Sequence, residues 1–227
     1  MRHIGTSLVV FYLLIAGISK GQNFSYSLTT DSMGTYTELS SPTVLISGQA
    51  FPGGYLYRLG LPFTFSFMGS NTDSAFVEYP GVIRLIKYSR YSVIAFSNYK
   101  SYKDSLNQWV ASISYELTGT SGNRIMKIQY KNISKTGTFG WHDHLNYQVW
   151  LYENGSKVEV HTGPVLVWED AVLLGLINQY NDTDEVAYLL SGDPLNPSGV
   201  VAPGGEPFSY LDYEPREGMI YTFTPTY

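Results

Sequence analysis

The sequence contains no cysteine, which excludes a disulfide framework, cysteine-ligated metal centres and a lipid-attachment cysteine. Only 15% of its 227 residues are charged and only four are histidine, so few side chains are suited to catalysis or metal binding. Beyond the N-terminal segment, no apolar stretch reaches the roughly 20 residues that a membrane-spanning helix needs. We therefore expect stability to come from a packed core, and we predict no membrane span in the mature chain.

The N-terminal segment has the parts of a cleavable signal peptide. Arg2 supplies the positive start, residues 8–18 form a short apolar stretch, and small residues precede an expected cleavage site after Gly21. We predict a signal peptide over residues 1–21 and one domain over residues 22–227. The predicted location is outside the cytoplasm: secreted, periplasmic or at the cell surface.

Removal of this segment leaves a distinctly acidic chain. Arg2 and Lys20 are lost, so 12 of the 14 basic residues remain against all 19 acidic ones, a net charge of −7 with histidine neutral. Binding of nucleic acid requires a basic face. No nucleic acid is therefore expected among the partners.

Aromatic and turn-forming residues are abundant, with 20 Tyr, 11 Phe, 22 Gly and 11 Pro. This composition favours strands and turns over helices. Apolar residues alternate with polar or small ones at several places, which is typical of half-buried strands. The clearest examples are residues 61–67, 112–117, 126–130 and 145–151.

The turn signals join these strands into hairpins. Gly119 to Asn123 separates the second strand from the third, and Asn154-Gly155 turns the fourth toward Val158 and Val160. Further strands are predicted within residues 165–177, where a short helix is the alternative, and at residues 186–190 and 219–223. Residues 192–207 are predicted to form a long surface loop. The pattern predicts an all-β, antiparallel, jelly-roll-like β-sandwich in a single domain.

The order and spacing of these segments resemble the N-terminal β-sandwich domains of secreted Bacteroidetes proteins, many of which carry a type IX secretion sorting domain. The resemblance extends over residues 26–30, 34–39, 61–67, 113–119, 123–132, 146–153 and 218–225. The strand containing Asn146, Tyr147 and Gln148 also resembles extracellular nidogen-type domains. The first resemblance implies a cell-surface or secreted accessory domain and supplies no catalytic residues to assign here, and the second implies a role in adhesion.

Four aromatic residues are candidates for ligand binding. Trp150 and Tyr152 are predicted on the strand face opposite the core, and Trp109 and Trp141 occur in loop-like sequence. Exposed aromatic rings stack on sugars or anchor protein interfaces. The alternative is that the sandwich packs aromatic residues on both sides of its strands.

Two segments contain residues that could bind a metal ion. Asp182, Asp184 and Glu185 offer the oxygen ligands that calcium takes, so a structural calcium ion is one interpretation of this loop and a solvated turn is the other. His142 and His144 are spaced to share one strand face, but a zinc or copper site would also need His161 or carboxylates. A solvated loop is the favoured interpretation of that pair, and no other cofactor is expected.

The sequence contains no Gly-x-Ser-x-Gly nucleophile motif. We therefore predict a non-enzymatic binding or adhesion domain whose partner is an extracellular carbohydrate or protein. One alternative is a secreted glycan-active hydrolase, which would need two carboxylates facing each other across a cleft. Another is a structural spacer, which would have no cleft.

Overall fold

The computed structural model describes residues 25–49, 56–78, 81–85, 92–95, 99–101, 110–135, 144–166, 171–179, 185–203 and 210–226. Within these ranges the chain forms strands and a single 3₁₀ turn at Asn154–Ser156. The strands are β1 (Ser25–Asp31), β2 (Thr43–Ser47), β3 (Leu56–Phe67), β4 (Ser70–Glu78), β5 (Val82–Arg84), β6 (Ser92–Ala95), β7 (Tyr99–Ser101), β8 (Ser112–Thr118), β9 (Ile125–Lys135), β10 (His144–Tyr152), β11 (Val158–Leu166), β12 (Leu174–Gln179), β13 (Glu185–Ser191), β14 (Ser198–Pro203) and β15 (Ile220–Thr226).

The strands form two antiparallel sheets that pack as a sandwich. Sheet A has the order β1-β15-β11-β10-β9-β8-β2, and β7 pairs with one end of β9. Sheet B has the order β14-β13-β12-β6-β5-β4-β3. The chain forms β1 and β2 in sheet A, crosses to sheet B for β3–β6, returns for β7–β11, crosses again for β12–β14 and ends in sheet A with β15. The predicted single-domain, all-β sandwich is confirmed.

The core lies between the sheets and is built from the alternate residues of each strand. On β10, Tyr147, Val149 and Leu151 are fully buried, and the Tyr147 ring stacks on Tyr130 of β9 with centroids 4.6 Å apart. From sheet B, Phe65 and Phe67 are fully buried against them in the same cluster. Alternation of period two therefore places one face of each sheet in the core and the other outside.

Both predicted hairpins are present. Strands β8 and β9 pair from Ser112↔Lys131 to Thr118↔Ile125, and β10 pairs with β11 across the 3₁₀ turn. Gly155 of that turn has φ +74°, a left-handed conformation that glycine adopts without steric cost. The predicted strands near residues 174, 186 and 220 also occur, as β12, β13 and β15.

The prediction of one long surface loop over residues 192–207 is wrong, because β14 lies inside it. This strand pairs with β13 from Val186↔Pro203 to Ser191↔Ser198. Gly199 permits the pairing, since a Cβ there would lie 2.3 Å from the Tyr188 hydroxyl oxygen. Proline and glycine are tolerated in an edge strand of this kind, so their abundance did not exclude a strand.

No helix in the described ranges is long and apolar enough to span a membrane. The predicted signal peptide over residues 1–21 lies outside the described residues.

Candidate functional site

An irregular segment between β1 and β2 lies across the outer face of sheet A. We call residues 34–41 the strap. Its first residue, Gly34, passes so close to β15 that an added Cβ would lie 2.5 Å from the Ile220 side chain. Gly163 of β11 lies directly under the Tyr36 ring, where an added Cβ would come within 2.7 Å. Glycine at these two positions lets the strap lie flat on the sheet.

The strap covers two glutamine side chains that would otherwise face solvent. Gln129 of β9 and Gln148 of β10 are only 4% and 1% exposed. The Gln148 amide donates to Gln129 Oε1 and to the Thr37 carbonyl oxygen, both at 2.8 Å, and the Leu39 backbone N–H donates to Gln129 Oε1 at 3.1 Å. These buried amides are thus hydrogen-bonded to each other and to the strap, as buried polar groups require.

A carboxylate on β8 holds the far end of the strap. Glu116 accepts hydrogen bonds from the Ser40 hydroxyl at 2.9 Å and from the backbone N–H groups of Ser40 and Ser41, both at 3.2 Å. Lys131 of β9 pairs with Glu38 of the strap at 2.6 Å. The strap is therefore fixed to β8, β9 and β10 by polar contacts.

A cleft of about 340 Å³ remains between the strap and the sheet. Its lining comprises strap residues Thr35, Tyr36, Thr37, Glu38, Leu39 and Ser40 and sheet residues Glu116, Thr118, Lys127, Gln148, Trp150 and His161. Ligand sites commonly occupy about 300–1,000 Å³ and have a few convergent polar groups. The volume of the strap cleft lies at the lower end of this range.

Trp150 forms one wall of the strap cleft. Other side chains already cover both faces of its ring. The His161 ring stacks on it at a centroid distance of 3.9 Å, and Lys127 Nζ lies 3.8 Å from the ring centroid. Two groups so close to one centroid must lie on opposite faces, and they come from β11 and β9 on either side of β10. The Trp150 Nε1–H donates to Gln148 Oε1 at 2.8 Å. A ligand in the cleft thus meets the edge of this ring rather than an open face.

Tyr152 belongs to a neighbouring cluster centred on Glu159. The buried Glu159 carboxylate accepts hydrogen bonds from the Tyr152 hydroxyl at 2.5 Å and from Lys157 Nζ at 2.7 Å, and His161 Nε2 lies 2.8 Å from it. Burial opposes ionisation of Glu159, but the contacts with His161, Lys157 and Tyr152 prevail and lower its pKa to about 2. The ionised carboxylate orients His161, which in turn packs against Trp150.

The structure thus brings together two of the four predicted aromatic residues. Trp150 and Tyr152 lie on the outer face of β10, with ring centroids 6.3 Å apart. Trp109 and Trp141 lie outside the described residues. Of the predicted calcium ligands, Asp182 and Asp184 also lie outside them, and Glu185 begins β13.

The predicted histidine pair finds no third ligand in His161. His144 is the first residue of β10, and His161 pairs with Gln148 four residues further along that strand, about 13 Å away at the usual strand rise. In the described ranges, no group of three or more His, Asp or Glu side chains is arranged to hold a metal ion. His142 lies outside those ranges.

Sequence reasoning missed the strap, Lys127, Gln129 and Gln148. Residues 34–39 were noted only as part of a family resemblance, and Gly34 and Gly163 do not reveal which segment approaches them. The cleft depends on which strands are neighbours in sheet A, and strand order is not visible in local alternation.

The fold defines a single-domain, antiparallel all-β sandwich, and family comparison gives a more specific assignment. A family profile described as NIDO related matches residues 25–225. The chain belongs to this NIDO-related family, which confirms the predicted nidogen-type resemblance. Nidogen-related domains are extracellular and generally non-catalytic. No curated protein and no solved structure matched the chain.

The three residues that carry the nidogen-type resemblance, Asn146, Tyr147 and Gln148, have different structural roles. Asn146 lies at a bulge in β10, where it accepts the Asn132 N–H at 2.9 Å and donates to the Pro164 carbonyl at 2.8 Å. Tyr147 packs in the core, and Gln148 forms part of the cleft floor. Of the three side chains, one therefore lies at the bulge, one in the core and one in the cleft.

Proposed function

We propose that this protein is an exported, non-enzymatic binding domain that holds an extracellular carbohydrate in the strap cleft. The observation that carries this proposal is the cleft between the strap and sheet A. A structural spacer would need no such cleft. The proposal is consistent with the extracellular setting of NIDO-related domains. Adhesion through a glycan on a neighbouring surface would be one use of such a site.

The chemistry of the lining favours a sugar over a protein partner. Thr35, Thr37 and Thr118 contribute hydroxyl groups, which match the hydroxyl groups of a saccharide. Leu39 is the one aliphatic side chain in the described lining. A protein partner would be expected to insert apolar or aromatic anchors into pockets, but the two rings of this lining already pack on other groups, Tyr36 on Gly163 and Trp150 on His161 and Lys127.

The carboxylates of the cleft favour binding over hydrolysis. A glycosidase needs one carboxylic acid to donate a proton and one carboxylate to act as nucleophile or base. Glu116 is occupied by three hydrogen bonds from the strap, and Glu38 is paired with Lys131. Both carboxylates thus already have structural partners, which does not suit an exchange of protons with a substrate.

A glycan array probed with residues 22–227 tests this proposal. Thr118→Arg would place a long side chain in the cleft mouth without removing any contact of the strap. We expect the unmodified domain to bind a defined set of glycans and Thr118→Arg to lose at least about 90% of that signal, since a filled site excludes the ligand sterically.

Thr224→Arg is the matched control, because Thr224 is also an outward threonine of sheet A but lies on β15, four strands from β8. At about 4.8 Å per strand, that separation is roughly 19 Å. The control is expected to bind like the unmodified domain. Glycan binding that survives Thr118→Arg, or an array without any signal, would contradict the proposal.

The location of the protein outside the cytoplasm forms part of the same proposal. We propose export by the signal peptide of residues 1–21 and a periplasmic, surface or secreted destination, as in the Bacteroidetes proteins that the sequence resembles. N-terminal sequencing of protein recovered outside the cytoplasm should begin at Gln22, and full-length protein retained in the cytoplasm would contradict the export proposal.

A further inference from the structure

Among the sheet A lysines whose side chains the structure describes, Lys127 differs from the others because it has no acidic partner. The structure describes the side chains of three lysines, and two of them pair with carboxylates: Lys131 with Glu38 at 2.6 Å and Lys157 with Glu159 at 2.7 Å. Among the described residues, Lys127 has no ion pair or hydrogen bond, and its ammonium group lies over the Trp150 ring. Lys127 is half-buried and lines the strap cleft.

The sheet register makes this missing ion pair informative. Lys127 lies directly opposite Glu116 on the neighbouring strand, where opposite charges normally attract across the sheet. The Glu116 carboxylate instead accepts hydrogen bonds from Ser40 and Ser41. The strap therefore engages the natural partner of Lys127 and leaves a positive charge facing the cleft.

Trp150 holds this charge in a defined position. Nζ lies 3.8 Å from the ring centroid, and His161 supports the opposite face of the same ring. A lysine restrained by a cation–π contact has lost part of its conformational freedom before a ligand arrives. Such preorganisation lowers the entropic cost of binding.

We infer that the ligand of the strap cleft is an anionic saccharide whose carboxylate or sulfate group accepts a charge-assisted hydrogen bond from Lys127. This inference rests on the proposed function and specifies its ligand class. The acidic group would lie beside Trp150 in the place that Glu116 leaves free, and the hydroxyl groups of the sugar would face Thr35, Thr37 and Thr118. Lys131 compensates the charge of Glu38, whereas Glu116 is held only by neutral donors of Ser40 and Ser41, so the attraction of Lys127 has to outweigh the repulsion from Glu116.

An array that pairs each acidic glycan with a neutral counterpart tests the inference on the domain of residues 22–227. Uronic acid oligosaccharides are compared with their methyl esters, and sulfated oligosaccharides with their unsulfated forms. We expect signal only from acidic members, with the two series showing whether a carboxylate or a sulfate is preferred. Titration calorimetry of the strongest acidic glycan should show weaker binding as salt concentration rises.

Three variants assign the effect to this lysine. Lys127→Met should weaken binding of the acidic glycan by about ten- to a hundredfold, the usual range for a hydrogen bond to a charged group. Lys127→Arg keeps the charge and should restore most of the affinity. Arg58→Met on the outer face of sheet B removes the same charge at a distance and should leave the affinity unchanged.

The outcomes separate this inference from the proposed function. Equal binding of acidic and neutral members, or full affinity in Lys127→Met, overturns the anionic ligand while leaving the cleft as a sugar site. Absence of any glycan signal, or binding that Thr118→Arg does not reduce, overturns both. Circular dichroism of Lys127→Met checks that the fold is retained, as expected for a half-exposed lysine without hydrogen bonds.

Discussion

Glu159 is a buried residue whose carboxylate contacts three neighbouring side chains. A buried carboxylate is costly unless its oxygens are fully hydrogen-bonded. Here the Tyr152 hydroxyl, Lys157 and His161 all contact it within 2.8 Å. These contacts lower the pKa of Glu159 to about 2, against the opposing effect of burial.

Glu159 should therefore make the stability of the fold depend on pH in the acid range. Because its folded-state pKa lies below the unfolded value of about 4.3, its contribution is present above that value and is lost as pH falls toward about 2. We expect Glu159→Gln to have a lower Tm at pH 7 and a smaller fall in Tm between pH 5 and pH 2. Thermal melts across this pH range measure both effects.

Asp73→Asn, which removes an exposed negative charge on sheet B, is the control for that experiment and should melt like the unmodified protein. Some acid dependence should remain in Glu159→Gln, because hydrogen bonds from Arg124 also lower the pKa of Glu153 to about 2. An acid profile of Glu159→Gln that runs parallel to the unmodified profile would show that Glu159 is not stabilised as described.

For single residues, the sequence predicted which face of a strand a side chain lies on, but not which other residues it contacts. Alternation placed Trp150 and Tyr152 on the outer face of β10, where the structure has them. The contacts of Trp150 with Lys127 and His161 depend on the pairing of β10 with two other strands, and that register involves residues 11 to 23 positions away. Local pattern contains no information about such partners.

The strap is the element on which the candidate site depends. It has no regular secondary structure, and it is held by polar contacts and by close approach to glycines rather than by strand pairing. Its sequence was recognised only as part of a family resemblance, because an irregular segment has no periodicity to detect. The hairpins, by contrast, were predictable, since their turns and strands are adjacent in the chain.

Gly163→Ala tests whether the strap lies against the sheet as described. The new Cβ would come within 2.7–2.9 Å of the Tyr36 ring, so the ring and the strap would have to move. We expect a loss of about 1–3 kcal/mol in the free energy of unfolding, the usual cost of overpacking. Chemical denaturation measures this loss.

Gly60→Ala is the matched control, because an added Cβ at Gly60 has no neighbour within 4 Å. It should be neutral or slightly stabilising, since alanine loses less conformational freedom than glycine in a strand. Equal stability of the two alanine variants would mean that Tyr36 does not pack on Gly163.

Glu116→Gln tests the other end of the strap. The neutral amide is a weaker acceptor than the carboxylate, so the hydrogen bonds from Ser40 and Ser41 should weaken. We expect hydrogen exchange of these two amides to accelerate about tenfold, while amides of the β10–β11 pair keep their protection. Unchanged exchange at Ser40 and Ser41 would exclude Glu116 as the anchor.

At the scale of the whole molecule, two sheets share one apolar core without any disulfide. The sequence predicted this architecture because many short alternating segments with turn signals can bury their apolar faces only against each other. It did not predict how the strands divide between the sheets, which requires long crossings such as that from β2 to β3. The strand order of sheet A, and with it the strap cleft, followed only from the structure.

Ser156 links the two sheets at one end of the sandwich. Its hydroxyl oxygen accepts the Ser66 backbone N–H of sheet B at 2.9 Å, although Ser156 itself belongs to the turn between β10 and β11. Its φ of +49° is unfavourable for a residue with a Cβ. Ser156 therefore combines an unfavourable backbone conformation with a hydrogen bond between the two sheets.

Ser156→Ala should lower the free energy of unfolding by about 1–3 kcal/mol, because the Ser66 N–H would lose its partner while the backbone strain persists. Ser156→Gly loses the same hydrogen bond but relieves the strain, so its loss should be smaller. Urea denaturation of both variants measures the difference. An alanine variant at least as stable as the glycine variant would contradict this interpretation of the turn.

The most direct test of the central claim is nuclear magnetic resonance mapping of a saccharide titration onto the domain of residues 22–227. The strongest glycan from the paired array would be added stepwise while backbone amide shifts are recorded. We predict shift changes concentrated at the strap and at Thr118, Lys127 and Trp150, with Thr224 unaffected. Shift changes confined to other surfaces, or none at saturating glycan, would contradict a ligand site in the strap cleft.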